Sequence, residues 1–266
     1  MAAQAQATVM RRARHRLRIA MSEIPGVYLP FARRKYPGPS PEVISSATEL
    51  VIDGYTRSAS TFAVYALQLA QPAPVRLAHH LHASAQLIEA ARRRVPAIAV
   101  IREPEGAVLS QLIREPDVAM RDALVAYARF YESLLGCRHR FVVADFEDIT
   151  KDFGAVIRRV NERFGTALGE FEPTEPNVRQ CFELIKLRST LSPVLLGFES
   201  GTVTADELRL ETEMLTQRQG PAPEAWIPSL ERERSKAALR AQWARPGLAG
   251  LRVRAQRVYE EFLGTA

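Results

Sequence analysis

The chain of 266 residues contains little cysteine, little lysine and no long hydrophobic run. Its two cysteines, Cys137 and Cys181, are too few for a disulfide framework and are typical of a reducing compartment. No apolar run reaches the roughly 18 residues that a membrane-spanning helix needs, and no apolar segment with a cleavage site follows Met1. These absences exclude a disulfide-rich secreted domain, and we expect a cytoplasmic protein without a membrane-spanning helix.

Arginine and apolar residues are what the chain has in abundance. Only four of the 36 basic residues are lysine, and the formal net charge is +6. A positive balance suits an anionic nucleotide, an acidic glycan, nucleic acid or a membrane surface. No zinc finger, helix-turn-helix or aromatic and basic RNA motif is evident, so nucleic acid is the weakest of these options. The high arginine and alanine content is typical of bacterial proteins, and 47% apolar residues suffice for one large α/β domain.

Alternating strand and helix patterns between residues 49 and 165 predict a doubly wound parallel sheet. The predicted strands are 49–53, 75–80, 97–101 and 140–146. The predicted helices of this part begin near Ser60, at 85 with Ser84 as the cap, at 117 with Gly136 as the stop, and at Asp152 with Gly165 as the stop.

The remainder of the chain, after residue 165, is largely helical in pattern. The predicted helices are 177–188, 205–217, 230–243 and 248–263. We therefore expect a single domain over residues 1–266. It has a basic arm at 1–40, an α/β core at 49–165, and a helical cap with the acceptor region at 166–266.

The segment 49–67, ELVIDGYTRSASTFAVYAL, is the most informative part of the chain. We predict a strand, a turn and a helix, and such a turn points backbone N–H groups outward at the positive end of the helix dipole, which makes a phosphate site. Gly54 and Thr61 have the spacing of a Walker A loop, G-x-x-x-x-G-K-[ST]. Ala59 replaces its second glycine and Ser60 its lysine. Arg57 is the one cation of the turn, so the loop lacks the lysine that a nucleoside triphosphatase uses.

A second anion-binding pattern follows at 96–110, PAIAVIREPEGAVLS. Its apolar run predicts a buried parallel strand, and Arg102 stands at the carboxyl end of that strand, where open α/β sheets bind ligands. Pro104 suits the first turn of a helix, and Ser110 lies two turns further on. The guanidinium of Arg102 can hold a phosphate by two hydrogen bonds, at about 1.5–3 kcal/mol for each charge-assisted bond.

Together these segments resemble the nucleotide motifs of sulfotransferases that use 3'-phosphoadenosine 5'-phosphosulfate (PAPS). The 5'-phosphosulfate loop of that family reads [GYF]-x-[KR]-S-G-[TS]-[TS]-[FW], and residues 54–62, GYTRSASTF, are similar to it. Its 3'-phosphate motif, R-[DN]-P-x-[DE]-x-x-x-S, matches Arg102, Pro104 and Ser110, with departures at positions 103 and 106. The resemblance is to the bacterial type and implies a P-loop kind of nucleotide-binding sheet.

The resemblance also implies the roles of individual residues. The 5'-phosphosulfate would be held by the loop residues Arg57, Ser58, Ala59, Ser60 and Thr61. The 3'-phosphate would be bound by Arg102 and Ser110. Adenine would be contacted by Phe62 and by Phe146, which opens a segment similar to the Y-E-D-L of the family. For Phe62, packing in the core is an equally supported role.

Three of the five histidines, His79, His80 and His82, cluster at the end of the second predicted strand. A histidine suits a general base that deprotonates an acceptor. The family has its catalytic histidine in K-[TS]-H-L-P, and the pair at 80–81 matches H-L, which makes His80 the first candidate and His82 the second. Ala78 replaces the lysine of that motif, so Arg57 would stabilise the departing oxygen. A metal site and a purely structural cluster are the alternatives, but no third metal ligand is evident, and we expect no metal.

The sequence thus predicts transfer of a sulfuryl group from PAPS to a hydroxyl or amine of a glycan, a lipid-linked sugar or a small molecule. A P-loop kinase or other nucleotide phosphotransferase is one alternative, and a non-catalytic module that binds a nucleotide or glycan is another. The basic helix predicted at 9–21 either packs on the domain with its arginines in solvent or lies on an anionic membrane.

Overall fold

A computed structural model describes residues 2–210 and 230–264 of the chain. Its centre is a four-stranded sheet with the order β2-β1-β3-β4, in which all neighbouring strands are parallel. The strands are β1 (Leu50–Gly54), β2 (Leu77–His79), β3 (Ala97–Val100) and β4 (Val142–Ala144). The predicted α/β class and parallel sheet are confirmed, although β2 and β4 are shorter than expected.

Helices make up most of the remaining described chain. Before and within the sheet they are α1 (Ala2–Met21), α2 (Pro25–Lys35), α3 (Ser60–Leu69), α4 (Ser84–Arg93), α5 (Pro104–Arg114) and α6 (Met120–Glu132). After β4 they are α7 (Phe146–Lys151), α8 (Phe153–Phe164), α9 (Glu175–Leu187), α10 (Pro193–Ser200), α11 (205–210), α12 (Leu230–Trp243) and α13 (Ala249–Leu263). Short 3-10 turns occupy Leu135–Arg140, Arg188–Thr190 and Pro246–Leu248.

Both faces of the sheet are buried. Successive side chains of a strand point to opposite faces, and each face packs in its own hydrophobic core. Val51 and Ala97 belong to a core that includes residues of α2, α4, α5, α6 and α13. Leu50 and Ile52 belong to a second core, formed with α3, α8, α9 and α10. Helices on both faces explain why the strands are continuous apolar runs in the sequence.

Several predicted helix boundaries are wrong, and tertiary contacts explain them. Ser84 is the first residue of α4 and not its cap, and its hydroxyl instead donates to the carbonyl oxygen of Ser22 at 3.4 Å. The helix predicted from 117 begins only at Met120, because the N–H of Val118 closes a turn onto the carbonyl of Glu115 at 3.0 Å. That helix ends at Glu132, and the expected stop lies inside the following 3-10 turn.

The sequence also missed two helices after β4. Asp145 caps α7 by accepting a hydrogen bond from the N–H of Asp148 at 2.7 Å, and the two residues form a capping box. Helix α10 lies where no helix was expected. The predicted start of α8 at Asp152 and its stop at Gly165 are confirmed, with φ of 66° at the glycine. Of the helix predicted at 205–217, residues 211–217 lie outside the described part of the chain.

The N-terminal helix packs on the domain. On α1, Arg16 bonds the carboxylate of Asp122 in α6 at 3.0 Å, and Glu23 beyond it pairs with Arg129 at 2.6 Å. Met10 and Leu17 remain exposed on α1, so contact with a membrane stays a prediction. Among the helices of residues 2–210 and 230–264, none has the length and hydropathy needed to cross a bilayer.

The end of the chain returns to the sheet. Helix α13 packs along α6 and buries Ala255, Val258 and Phe262 in the first core. The region 166–266 is therefore not a cap throughout, since its last helix completes the α/β core. Within the described part of this region, helix α9, the turn after it and helix α12 border a large cavity at the edge of the sheet.

Candidate active site

A cavity of about 590 Å³ opens at the carboxyl ends of the strands, the edge at which parallel sheets bind ligands. The segment after each strand contributes one residue or more, among them Arg57 after β1, His80 after β2, Arg102 after β3 and Phe146 after β4. Helices of the C-terminal half close the other side. Every residue predicted for the site lines this cavity except Ser58, which is fully buried near the phenol of Tyr131.

A second cavity, of about 400 Å³, lies beside the edge strand β2 and contains none of the predicted residues. The cationic residues among its lining are Arg33 and Arg76. Arg33 donates to the carbonyl oxygen of Ile44 at 2.7 Å, and Arg76 is exposed to solvent. We therefore place the candidate site in the larger cavity.

The loop after β1 has the backbone of an anion-binding turn. Gly54 is required there, because a Cβ at this position would lie 2.1 Å from the carbonyl oxygen of Val100. Arg57 and Ala59 both have φ of 69°, in the left-handed region. Turns with left-handed residues gather successive N–H groups into a concave nest for anions, and strain of this kind is retained mainly at functional sites. No side chain caps the N-terminus of α3, which leaves its first N–H groups for a ligand.

The hydroxyls of the loop also point to a ligand. Ser60 is only 4% exposed, and its Oγ has no hydrogen-bond partner among the described residues although it borders the cavity. A buried hydroxyl without a partner calls for an explanation, and a bound ligand supplies one. Thr61 places its Oγ1 at 3.0 Å from Nε2 of His80. The loop thus offers backbone and hydroxyl donors to one anionic group.

The two predicted anion motifs are in direct contact. Nε of Arg57 donates to Oγ of Ser110 at 3.0 Å across 53 residues of sequence. Nη1 of Arg102 donates to the carbonyl oxygen of Arg57 at 3.4 Å, and its guanidinium lies 4.0 Å from the centre of the Phe146 ring. Nε of Arg102 also lies 3.2 Å from the carboxylate of Glu103. Two guanidinium groups and a serine hydroxyl therefore converge beside the loop.

The two predicted adenine contacts differ in their surroundings. Phe62 is 5% exposed and packs against Phe171 and Phe182, with ring centres 6.0 and 5.8 Å away. Core packing is therefore its visible role, although its edge reaches the cavity. Phe146 lies at the start of α7 with Arg102 over its ring in a cation–π arrangement, and it lines the cavity.

His80 belongs to a buried hydrogen-bonded cluster. Its Nδ1 lies 2.6 Å from Nδ1 of His79 and 3.9 Å from the carboxylate of Glu199. Glu199 is itself held by Arg188 at 2.7 Å and by the phenol of Tyr65 at 2.5 Å. Burial, and then the charge of Arg188, lower the pKa of His80 well below its usual range and that of His79 to about 3. Both imidazoles are therefore neutral at physiological pH.

Glu199 is also the third possible metal ligand that the sequence did not reveal. Ligand atoms of His79, His80 and Glu199 lie within 4.8 Å of one another. The carboxylate is occupied by Arg188, however, and the cation beside it opposes a second positive charge. Two nitrogens bound to one zinc at about 2.0–2.1 Å would also stand roughly 3.3 Å apart in tetrahedral geometry, whereas the two Nδ1 atoms are 2.6 Å apart. The geometry fits a hydrogen-bonded cluster better than a metal centre.

His82 has different partners. Its backbone N–H donates to Oδ1 of Asp53 at 3.1 Å, and its Nδ1 lies 2.9 Å from the carbonyl oxygen of Gly54. Burial lowers the pKa of His82 to about 4, although its side chain is 25% exposed and lines the cavity. Asp53 is fully buried, and that burial raises its pKa to about 7 against the hydrogen bonds that it accepts from Gly54, His82 and Gln86.

Sequence reasoning missed four residues that complete the site, namely Asp53, Arg188, Glu199 and Lys236. Asp53 had a signal, since an acid at the end of an apolar strand is unusual. Lys236 of α12 lines the cavity and is paired with Glu233 at 2.6 Å. The other two come from the helical half, where no pattern related them to the loop.

The arrangement can bind a ligand with two separated anionic groups and place its reactive end near two neutral histidines. No protein-family model matches the chain, and neither the curated proteins nor the solved structures contain a match. The donors, charges and histidines of the cavity are the basis on which its function is inferred.

Proposed function

We propose that the chain is a sulfotransferase that uses PAPS through a P-loop type of nucleotide site. The observation that carries this proposal is the hydrogen bond from Arg57 to Ser110, with Arg102 joined to the same loop. It brings a turn suited to a 5'-phosphosulfate and a motif suited to a 3'-phosphate into one cavity. A nucleotide with anionic groups at both positions fits this pair of sites, and the 3'-phosphate distinguishes PAPS from ATP.

Different residues of the cavity take part in proton transfer and in stabilising the leaving group. A histidine accepts the proton of the acceptor hydroxyl or amine, which then forms a bond to sulfur. The bond from sulfur to the 5'-phosphate oxygen breaks, and the electron pair stays on that oxygen. Arg57 and the N–H groups of the loop stabilise the charge that develops there, which is preorganised electrostatic catalysis. The products are a sulfated acceptor and adenosine 3',5'-bisphosphate.

The alternative of a P-loop kinase has less support. Ser60 stands where the phosphate-binding lysine belongs, and the residue at the end of β3 is Arg102 and not a magnesium-binding acid. Asp53, the acid at the end of β1, is engaged by backbone and side-chain donors and has no exposure. Neutralisation by guanidinium groups fits the cavity better than neutralisation by a metal ion.

The helical side of the cavity supports an acceptor with an apolar body. Its apolar lining residues are Phe182, Ile185 and Leu191, which line the cavity together with the charged Arg188, Glu233 and Lys236. Rings and methyl groups of this kind contact an aryl or alkyl group more favourably than a glycan. Among the acceptors considered above, we therefore favour a small-molecule alcohol or phenol, or the apolar part of a lipid-linked acceptor.

Thermal unfolding with added ligands tests the assignment. We expect adenosine 3',5'-bisphosphate to raise the melting temperature, because a ligand that binds only the native state stabilises it. ATP with magnesium should raise it less. Arg102→Ala should abolish the shift with the bisphosphate, whereas Arg158→Ala, an exposed arginine of α8 paired with Glu170, should retain it. A larger rise in melting temperature with ATP and magnesium would favour the kinase alternative over the sulfotransferase.

A further inference from the structure

We propose that His82 is the general base of the transfer, and that His80 is a positioning residue for Thr61. This inference rests on the proposed sulfotransferase function. It reverses the order that the family resemblance implies, and it follows from the hydrogen bonds that fix the protons of the two imidazoles.

The proton of His82 is placed by the carbonyl of Gly54. Nδ1 of His82 lies 2.9 Å from that oxygen, and a carbonyl oxygen can only accept, so Nδ1 carries the hydrogen. In a neutral imidazole the other nitrogen then holds a lone pair. Within residues 2–210 and 230–264 no hydrogen bond to Nε2 of His82 is present, and the residue lines the cavity. Nε2 is therefore an open proton acceptor.

Asp53 supports this arrangement from behind. Its Oδ1 accepts from the backbone N–H of His82 at 3.1 Å and lies 3.6 Å from Nδ1 of the same residue. The first contact holds the backbone of His82 at a φ of 50°. The second places the carboxyl group of Asp53 where its ionised form stabilises the imidazolium that forms when Nε2 takes a proton, as carboxylates behind catalytic or metal-bound histidines do.

His80 has the opposite proton arrangement. Its Nδ1 and that of His79 share one proton at 2.6 Å, so one ring donates and the other accepts. Nε2 of His79 is buried without a partner among the described residues. If His80 donated, this nitrogen would be an unpaired N–H. If His79 donates, it is an unpaired lone pair, and buried unpaired acceptors are better tolerated than donors.

The favoured state therefore protonates Nε2 of His80. That N–H donates to Oγ1 of Thr61 at 3.0 Å. The Thr61 hydroxyl, having accepted this bond, is free to donate its own hydrogen into the cavity, where the phosphosulfate is expected. His80 then orients a donor of the loop and cannot accept a proton at the nitrogen that borders the cavity.

The step balances with His82 alone. The acceptor O–H gives its proton to Nε2 of His82 while the oxygen forms its bond to sulfur. The bond between sulfur and the 5'-phosphate oxygen of PAPS breaks, and its electron pair leaves with the phosphate. The imidazolium returns the proton to solvent after the products leave.

The proton positions can be observed directly by long-range proton–nitrogen spectra of the full chain with ¹⁵N-labelled histidine. We expect His82 as the Nδ1–H tautomer and His80 as the Nε2–H tautomer. The signals are assigned by their loss in His82→Asn and His80→Gln, and the exposed His139 serves as an internal reference. An Nε2–H tautomer for His82, or an unprotonated Nε2 for His80, would overturn the proposal.

The same two variants form a matched kinetic pair. The amide of His82→Asn can still donate to Gly54, and that of His80→Gln can still donate to Thr61, so each keeps the structural bond and removes the ring. With PAPS and water as acceptor, we expect His82→Asn to lower kcat for bisphosphate release by about 10²–10⁴-fold with little change in KM. His80→Gln should mainly raise the KM for PAPS. The reverse pattern would contradict the proposal.

Binding measurements on the wild-type protein separate failure of the sulfotransferase assignment from failure of the assignment of His82 as the base. Wild-type protein that binds neither adenosine 3',5'-bisphosphate nor PAPS would overturn the sulfotransferase assignment, and the role of His82 with it, whatever the tautomers. Wild-type protein that binds both, with the kinetic pattern reversed, would overturn the assignment of the base alone.

Discussion

The cavity has two sides that are built in different ways. The side that faces the sheet is polar, and its groups hold one another across long stretches of sequence, as in the bonds from Arg57 to Ser110 and from His80 to Thr61. The side made by α9 and the turn after it is largely apolar, with Phe182 and Ile185 in its wall. Under the proposed function, the sheet side would bind the donor and the helical side would determine the choice of acceptor.

The two sides are nevertheless linked through one ion pair. Arg188, at the end of α9, bonds Glu199 of α10, and Glu199 lies close to His80. Arg188 also reaches the hydroxyl of Ser40 at 2.8 Å. If this pair holds the helical side against the histidines, variants at Arg188 should disturb both sides at once.

We expect the largest loss of stability when the ion pair between Arg188 and Glu199 is broken. Arg188→Ala leaves Glu199, which is fully buried, without its cation, and loss of one partner of a buried pair costs about 3–5 kcal/mol. Urea unfolding measures the change. Lys151→Ala is the control, because its pair with Glu147 is exposed on both sides and should contribute less than about 1 kcal/mol. Equal losses of unfolding free energy in the two variants would show that the ion pair of Arg188 does not hold the helical side of the cavity against the sheet side.

The pH dependence of stability tests the buried acid on the sheet side. Burial raises the folded-state pKa of Asp53 to about 7 from 3.8. A raised pKa means that its stabilising contribution is complete below pH 4 and is lost as the pH rises through 7. At about 1.4 kcal/mol per pKa unit, wild type should lose on the order of 4 kcal/mol relative to Asp53→Asn between pH 4 and 8. Parallel unfolding free energies for the two proteins would contradict the account.

Gly54→Ala tests the close approach of β1 to β3. The added methyl would meet the carbonyl oxygen of Val100, and we expect a loss of about 1–3 kcal/mol in the free energy of unfolding, as for other overpacked positions. Gly136→Ala is the matched control, since nothing lies within 4 Å of a Cβ at that position. A neutral result for Gly54→Ala would mean that the loop is not held against the sheet.

We expect Ala59→Gly to have the smallest effect on stability, and to stabilise the protein where most substitutions destabilise it. Ala59 has a left-handed φ of 69°, which is costly for alanine but not for glycine. We expect a gain of less than about 1 kcal/mol in stability, with bisphosphate binding retained. Ala63→Gly, inside the same helix α3, should instead lose at least about 1 kcal/mol. Thermal melts of both variants measure the difference, and a loss in Ala59→Gly would mean that the turn is not strained.

Local patterns in the sequence were enough for the sheet and for one side of the cavity. The apolar runs around Ile52 and Ile98 are continuous because helices cover both faces, so the strands were visible without a structure. The loop residues and Arg102 follow strand ends, and the carboxyl ends of parallel strands meet at one edge. Their convergence is a consequence of topology.

What the sequence could not provide depends on contacts between distant segments. Glu199 meets His80 only because α10 packs beside β2, and no local pattern encodes that contact. Ser84 does not cap α4, and its hydroxyl instead donates to the carbonyl oxygen of Ser22, which is distant in sequence. The preference for His82 over His80 likewise depends on the carbonyl of Gly54, which the motif does not describe.

The most direct measurement is the calorimetric affinity of adenosine 3',5'-bisphosphate compared with that of adenosine 5'-monophosphate. We predict that the bisphosphate binds at least about 100-fold more tightly, since two charge-assisted bonds to the 3'-phosphate exceed 2.7 kcal/mol. Arg102→Ala should remove this difference, whereas Arg158→Ala should keep it. Equal affinities for the two nucleotides in the wild-type protein would contradict the proposed PAPS site.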